Sequence, residues 1–306
     1  MHVHCRKNRF PFVHGRKAKT FAQPHELLRM MDAAGIDKGV LLPSMNPEWH
    51  WGYITPEETL EIAALYPKRF IPFCSLDARM IGNSPKTDFR PMLRYYKEAG
   101  CKGVGEYMAN LPFDDPMTMN LFRQVAEVGL PLLFHIGPTR GGCYGCYDEK
   151  GLPRLEKVLK AIPNLILIGH SQPFWAEIGQ VTEQSRKGYP TGKVKPGRLV
   201  TLMRRYPNLW GDLSAGSGHN AIARDPKFGY KFLEEFQDRL LFGTDICYCP
   251  QVLPQVPYFR KVKSEKLISD TAFQKITWKN ANRLLGLGLT ESSPSEIKKE
   301  PAAGMF

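Results

Sequence analysis

PLLFHIG, residues 131–137, is a short apolar run that turns polar at His135, and its reading decides the fold. The same design recurs in LILIGH (165–170), which closes on His170, and in LLFGTD (240–245), which closes on Asp245. At the start of the chain stands a His-x-His pair, His2 and His4. Groups this far apart in sequence can converge only if their runs are parallel strands of one closed barrel, whose strand C-termini share a face.

Working outward, eight strand-like runs are legible at residues 2–4, 38–43, 70–76, 102–107, 131–137, 165–170, 209–215 and 239–245. Most are apolar on both faces, as strands covered by helices are. Between them, helical spacing marks 24–34, 56–66, 89–99, 117–128, 152–161, 196–206 and 228–237, several with Pro at the start or Gly after the end. Residues 270–285 read as a closing helix. Strict strand–helix alternation over eight strands favours an α/β chain folded as a single-domain (β/α)₈ TIM-type barrel, spanning 1–289, over a doubly wound sheet. The stretch 290–306 is polar and Pro-containing and reads as a disordered tail. Two insertions, 138–151 and 173–196, fall on the face where barrel loops shape a pocket.

The 306 residues suffice for a large core, and no apolar run approaches the length that crosses a bilayer, so a membrane-spanning role is excluded. Seven cysteines, mostly scattered singly, do not form a disulfide framework, which points to a reducing cytoplasm. Only Met1 precedes His2, which leaves no room for a signal peptide in this form of the chain and makes the first strand either truncated or a stub. The net charge is +12, and CRKNRFPFVHGRKAKT carries Arg6, Lys7, Arg9, Arg16, Lys17 and Lys19 without one acid. That favours an anionic partner. A small carboxylate substrate fits better than nucleic acid, because the stretch lacks the aromatic interleaving of a binding module.

A His-x-His on a strand puts both imidazoles on one face, where one metal accepts both. Imidazole and carboxylate suit zinc first, with manganese or iron as alternatives, and such an ion lowers the pKa of bound water. Asp245, at the last strand's mouth, can ligate and accept a proton; His170 can donate a hydrogen bond or carry a proton. Of the remaining histidines, His14, His25, His50 and His219 fall in loops or at element edges, and His219 is the one placed to touch substrate.

The combination of MHVH, GVGE, PLLFHIG, LILIGH, LLFGTD and the closing KNANRLLGL resembles the amidohydrolase superfamily, specifically its amidohydrolase-related branch with the aminocarboxymuconate-semialdehyde decarboxylase-like enzymes. The resemblance covers nearly the whole chain. It implies that His2, His4 and His135 are metal ligands, His170 the active-site histidine, and Asp245 the aspartate near metal and water. It also implies a homodimer, as is common in the branch. Glu106, ending KGVGEY, stands where other branches place a ligand bridging two metals; it recruits a second ion, binds substrate, or orients His135. The short first strand departs from the family pattern. So do Cys143-x-x-Cys146 with Cys247 and Cys249, read either as isolated loop thiols or as a separate zinc or redox site.

Three functions follow as expectations. The first is a metal-dependent hydrolase of a small carboxylated or cyclic substrate, using metal-activated water. The alternative is a non-oxidative decarboxylase of an aromatic or unsaturated acid on the same residues. The third is a catalytically silent metal-binding scaffold. Arg140 is the expected anchor for a substrate carboxylate. Tyr107 and Trp175, with Trp49, Trp51, Phe174 and Tyr248, are the aromatics expected to line the pocket.

Overall fold

The computed structural model describes residues 2–8 and 20–290, and for Trp49, His50 and Trp51 the backbone alone. The tail and most of the basic stretch therefore lie outside the described residues. Nine strands follow in order: β1 (His2–Val3), β2 (Gly39–Leu41), β3 (Phe70–Pro72), β4 (Val104–Tyr107), β5 (Leu132–Gly137), β6 (Cys146–Tyr147), β7 (Leu167–His170), β8 (Leu209–Asp212) and β9 (Leu240–Leu241). All pairings between them are parallel.

Eight of these strands form the (β/α)₈ barrel. They run as β1-β2-β3 and β4-β5-β7-β8-β9, while β6 pairs with β5 outside the ring. Two parallel bridges join the arcs, Cys74 to Val104 at one seam and Val3 to Ile246 at the other. At the second seam His4 N donates to Ile246 O (2.8 Å) and Asp245 N to His2 O (2.8 Å). The first and last strands thus bring His2, His4 and Asp245 into register.

The period of two along each strand sorts the side chains. Leu133, Ile168, Trp210 and Leu241 form the core inside the ring together with Val40, Leu42, Phe73 and Leu285. Two residues on from three of these stand His135, His170 and Asp212, so the mouth of the barrel is built from the same inward rows. The alternate residues, Leu132, Phe134, Leu167 and Leu209, pack outward into the larger core against the helices.

The helices start where the sequence marks them. Pro24–Ala34, Pro56–Leu65, Pro116–Val128, Pro153–Ala161 and Pro226–Glu235 each place proline in the first turn, where its missing N–H costs nothing. Ala215–Ala223, Gln255–Ser264 and β6 escaped the sequence reading, as did the short helices Pro47–Gly52, Gln172–Ala176 and Glu183–Arg186. The first is rich in Gly and Ser, poor helix formers, and helical through tertiary packing. The closing segment is Asp270–Gln274 and Asn280–Leu285 around a π turn, Lys275–Lys279. No helix among the described residues is long and apolar enough to cross a membrane.

Gly169, just before His170, carries a testable consequence. A Cβ there would lie 2.1 Å from Cζ of Phe174, a fully buried ring packed edge-on against Phe134 and Trp175. Gly169→Ala is expected to destabilise the barrel by about 1–3 kcal/mol, read as a lower urea midpoint at unchanged slope; a wild-type midpoint would contradict this packing.

Candidate metal centre

Five groups from four strand ends meet at the mouth. His2 Nε2 lies 2.9 Å from His4 Nε2. Glu106 Oε2 is 3.5 Å from the former and 3.4 Å from the latter. Asp245 Oδ1 closes the group at 3.5 and 3.7 Å from the same nitrogens, and its Oδ2 is 3.8 Å from His170 Nε2.

The outer nitrogens determine what faces inward. His2 Nδ1 donates to Asp212 Oδ2 at 2.7 Å, and His4 Nδ1 to the Leu42 carbonyl at 2.7 Å. Ser214 Oγ gives its proton to Asp212 Oδ2 (2.7 Å) and so accepts from His170 Nδ1 (3.0 Å). Each ring spends its Nδ1 proton outward. In the neutral tautomers so assigned, His2, His4 and His170 all present bare Nε2 lone pairs to the centre, alongside two carboxylates. Acceptors facing acceptors at about 3 Å repel unless a cation sits among them, and this donor set fits a divalent ion.

The electrostatics agree. Glu106 and Asp212 are buried, Asp245 is 23% exposed, and among the described residues no Lys or Arg pairs with any of the three. Burial works to lower the pKa of His2, but Asp245, Asp212 and Glu106 outweigh it and hold it well above the ordinary imidazole value, so a proton and a divalent ion compete for the same Nε2. Burial likewise opposes ionisation of Glu106, and the hydrogen bond from His135 with the neighbouring His2 and His4 rings overcomes it and keeps the carboxyl well below its usual range. His170, enclosed and close to His2, is pushed down to about 4 and is neutral. The mouth is short of positive charge.

His135 gives its Nδ1 to Glu106 Oε1 at 2.7 Å, so Glu106 spans from that ring to the His2 and His4 nitrogens. Glu106 Oε2 thus stands among the candidate ligand atoms while its Oε1 orients His135, so two of the readings for Glu106 fit the geometry. The atoms that could hold an ion fall into three overlapping groups: His2, His4 and Glu106; His2, His170 and Asp245; Glu106, His135 and His170.

The frame around these groups is stiff. Trp175 donates its indole N–H to the Asp212 carbonyl at 2.8 Å. A Cβ on Gly243 would lie 2.5 Å from Asp212 Oδ1, so the glycine of FGTD lets the last strand close on that carboxylate. Asp245 itself sits at φ 55°, a left-handed backbone that Asp tolerates better than most residues, and Gln251 Nε2 clamps its carbonyl at 2.6 Å.

The pocket aromatics require correction. Tyr107 is fully buried on the outward face of β4, bonded to Thr118 Oγ1 at 3.1 Å, because it alternates with inward Glu106. Trp175 is 1% exposed and supports Asp212 from behind; Phe174 is core. Arg140 is exposed and lines a separate groove of about 300 Å³ with Thr139, Asp148 and Arg186 rather than the histidine cluster. The cysteines do not assemble: Cys146 is buried on β6, whereas Cys143 contacts Thr139 and Asn110, and Cys247 contacts Gln251. His219 lines a cavity of about 420 Å³ with Tyr189 and Arg224. Asp212, Ser214, Gln251 and Tyr144 escaped the sequence reading. Only the polar pair in LWGDLSA, aligned with the His-bearing runs, could have signalled two of them. The Tyr144 ring lies 4.8 Å from His135, and burial together with Glu106 and Asp245 pushes its phenol pKa well up.

Residues 1–287 match the model of the family described as Amidohydrolase. No curated protein matches the chain. Among solved structures, a probable 2-pyrone-4,6-dicarboxylic acid hydrolase from Acinetobacter baumannii is 16% identical, with TM-score 0.59 over 93% of this chain and 97% of its own. A dihydroxybenzoic acid decarboxylase from Polaromonas, with bound manganese and the inhibitor 2-nitroresorcinol, is 21% identical with TM-score 0.54 over 87% and 86%. A 5-carboxyvanillate decarboxylase from Novosphingobium aromaticivorans, also with manganese, is 20% identical with TM-score 0.54 over 85% and 79%. At these identities the likeness is one of fold.

Asp212 orients His2 directly and His170 through Ser214. Asp212→Asn is expected to weaken divalent-metal affinity by about 10–100-fold with the fold retained, measured by chelator competition. Unchanged affinity would show that the carboxylate does not support the centre.

Proposed function

The chain belongs to the amidohydrolase family, and from that premise we propose that it is a metal-dependent, non-oxidative decarboxylase of a small aromatic or unsaturated carboxylic acid. The observation that carries the metal dependence is the convergence of three bare imidazole nitrogens and two carboxylates without a cationic side chain. His2, His4, Glu106 and Asp245 would hold one divalent ion, and His135, which fixes Glu106, would complete the set. The manganese in two of the compared decarboxylases favours manganese over the zinc that the sequence suggested. When bound, the ion supplies Lewis-acid polarisation of the substrate oxygens and fixes their position.

The chain's own residues handle the proton. Asp245 faces His170 across 3.8 Å, which makes the pair a proton donor and its relay. A proton carried on Asp245 goes to the carbon bearing the carboxylate; the bond to that carboxylate then breaks, its electron pair stays with the substrate carbon, and carbon dioxide leaves. His170, steadied through its Nδ1 by Ser214 and Asp212, takes a proton from water on its Nε2 and hands it to Asp245 for the next turnover. The sequence alone put hydrolysis first. It remains the second reading, favoured by the 23% exposure of Asp245, which lets water reach the carboxylate, and by the compared pyrone hydrolase.

Manganese-loaded protein incubated with 2,6-dihydroxybenzoate or 5-carboxyvanillate should release carbon dioxide. Asp245→Asn should lose about 100-fold or more of that rate, and His135→Ala should lose metal and rate together. Acid release from a pyrone dicarboxylate without any carbon dioxide would select hydrolysis instead, and wild-type turnover by Asp245→Asn would remove that residue from proton transfer.

A further inference from the structure

The loop after β5 carries a tyrosine that the reaction above does not use. Residues 143–147 are pinned along both edges. On one side β6 pairs with the end of β5, Ile136 with Cys146 and Gly137 with Tyr147. On the other, Gly145 N donates to Met108 O (2.6 Å), Tyr147 N to Leu111 O (2.8 Å), and Phe113 N to Tyr147 O (2.9 Å). Gly145, at φ 98°, passes so close to the site that a Cβ on it would lie 2.7 Å from His135 Cδ2 and 2.5 Å from Gly137 N; only glycine fits.

The arc leading into this strip is held by one side chain. Asn110 Nδ2 donates to Thr139 O (3.0 Å) and Gly145 O (2.8 Å), and its Oδ1 accepts from Gly141 N (2.5 Å). A loop with glycines at 141, 142 and 145 would otherwise be free to wander. Tyr144 stands where that restraint ends, with its ring 4.8 Å from His135 at 56°. Its hydroxyl lies in the field of Glu106 from β4, Asp245 beyond β9, and the Cys143 and Cys247 thiols. Its ring thus lines the mouth beside His135, near enough to Glu106 and Asp245 for their charges to act on its hydroxyl. Tyr147, three residues on, faces elsewhere, over Arg154 and along the separate groove.

Among the described residues, the groups that would hold the ion are all acceptors toward it, so an incoming carboxylate finds no protein donor among them. We propose that Tyr144 is that donor: a specificity-determining residue whose phenol hydrogen-bonds an anionic oxygen of the bound acid, with Asn110 as the positioning residue that holds it there. This deepens the decarboxylase reading and rests on its metal site. A neutral phenol suits a substrate whose carboxylate or ring oxygen also engages the ion, because it adds direction without another charge.

The test is calorimetric titration of the manganese-loaded full chain with 2,6-dihydroxybenzoate, comparing wild type with Tyr144→Phe, Asn110→Ala and Tyr147→Phe, and recording metal content for each. Tyr144→Phe keeps the ring against His135 and loses only the hydroxyl. It should retain the metal and bind the acid about tenfold more weakly. Asn110→Ala should lose part of the same affinity, and Tyr147→Phe should match wild type. Wild-type affinity in Tyr144→Phe at full metal content overturns the proposal alone. Manganese uptake by the wild type without any binding of the acid overturns it together with the substrate class, whereas failure to take up manganese overturns the metal site on which both rest.

Discussion

An excess of buried negative charge and lone pairs at the mouth of a closed barrel is the constraint on which the rest of this structure depends. Glu106, Asp212 and Asp245 meet three histidines there, and among the described residues no lysine or arginine comes to balance them. Desolvating carboxylates that no cationic side chain balances costs several kcal/mol each even after relaxation. A fold does not sustain that arrangement without a return. One divalent cation turns repulsion among His2, His4, Glu106 and Asp245 into coordination, which is why the geometry reads as a metal centre rather than as an ordinary buried ion-pair network.

The barrel makes the constraint achievable. Closure through Val3 and Ile246 sets the first and last strands side by side, and inward rows that begin with Leu133, Ile168 and Trp210 end on His135, His170 and Asp212. Supports behind the site fix each polar group in one orientation. Trp175 holds the Asp212 backbone, Gly243 leaves room for its carboxylate, and Gln251 secures Asp245 in its left-handed conformation. Of the aromatics that looked like a substrate pocket in sequence, Trp175 serves instead in this backing, and Tyr107 and Phe174 lie in the core.

The architecture and the principal site residues were legible because they obey short-range rules. A period of two within a strand places both histidines of His-x-His on one face, and alternating strand and helix patterns imply a barrel whose ends converge. Tyr107 and Trp175 misled because aromatic composition does not say which face a residue occupies; Tyr107 alternates with Glu106 and must point outward once Glu106 points in. Asp212 and Ser214 stayed hidden because an ordinary GDLS gives no sign of contact with a histidine 210 residues earlier. Arg140 is a loop residue, and the path of a glycine-rich loop depends on tertiary anchors such as Asn110 that no local pattern reveals.

The most direct test of the central claim is the number of divalent ions bound per chain, by elemental analysis after manganese loading and desalting, for wild type and Glu106→Gln in parallel. A single centre built on His2, His4, Glu106 and Asp245 predicts one ion per wild-type chain and less than one in the variant, whose amide cannot supply the missing charge. No bound metal in the wild type after reconstitution would contradict it, and two ions falling to one in the variant would make Glu106 the bridge of a two-metal site instead.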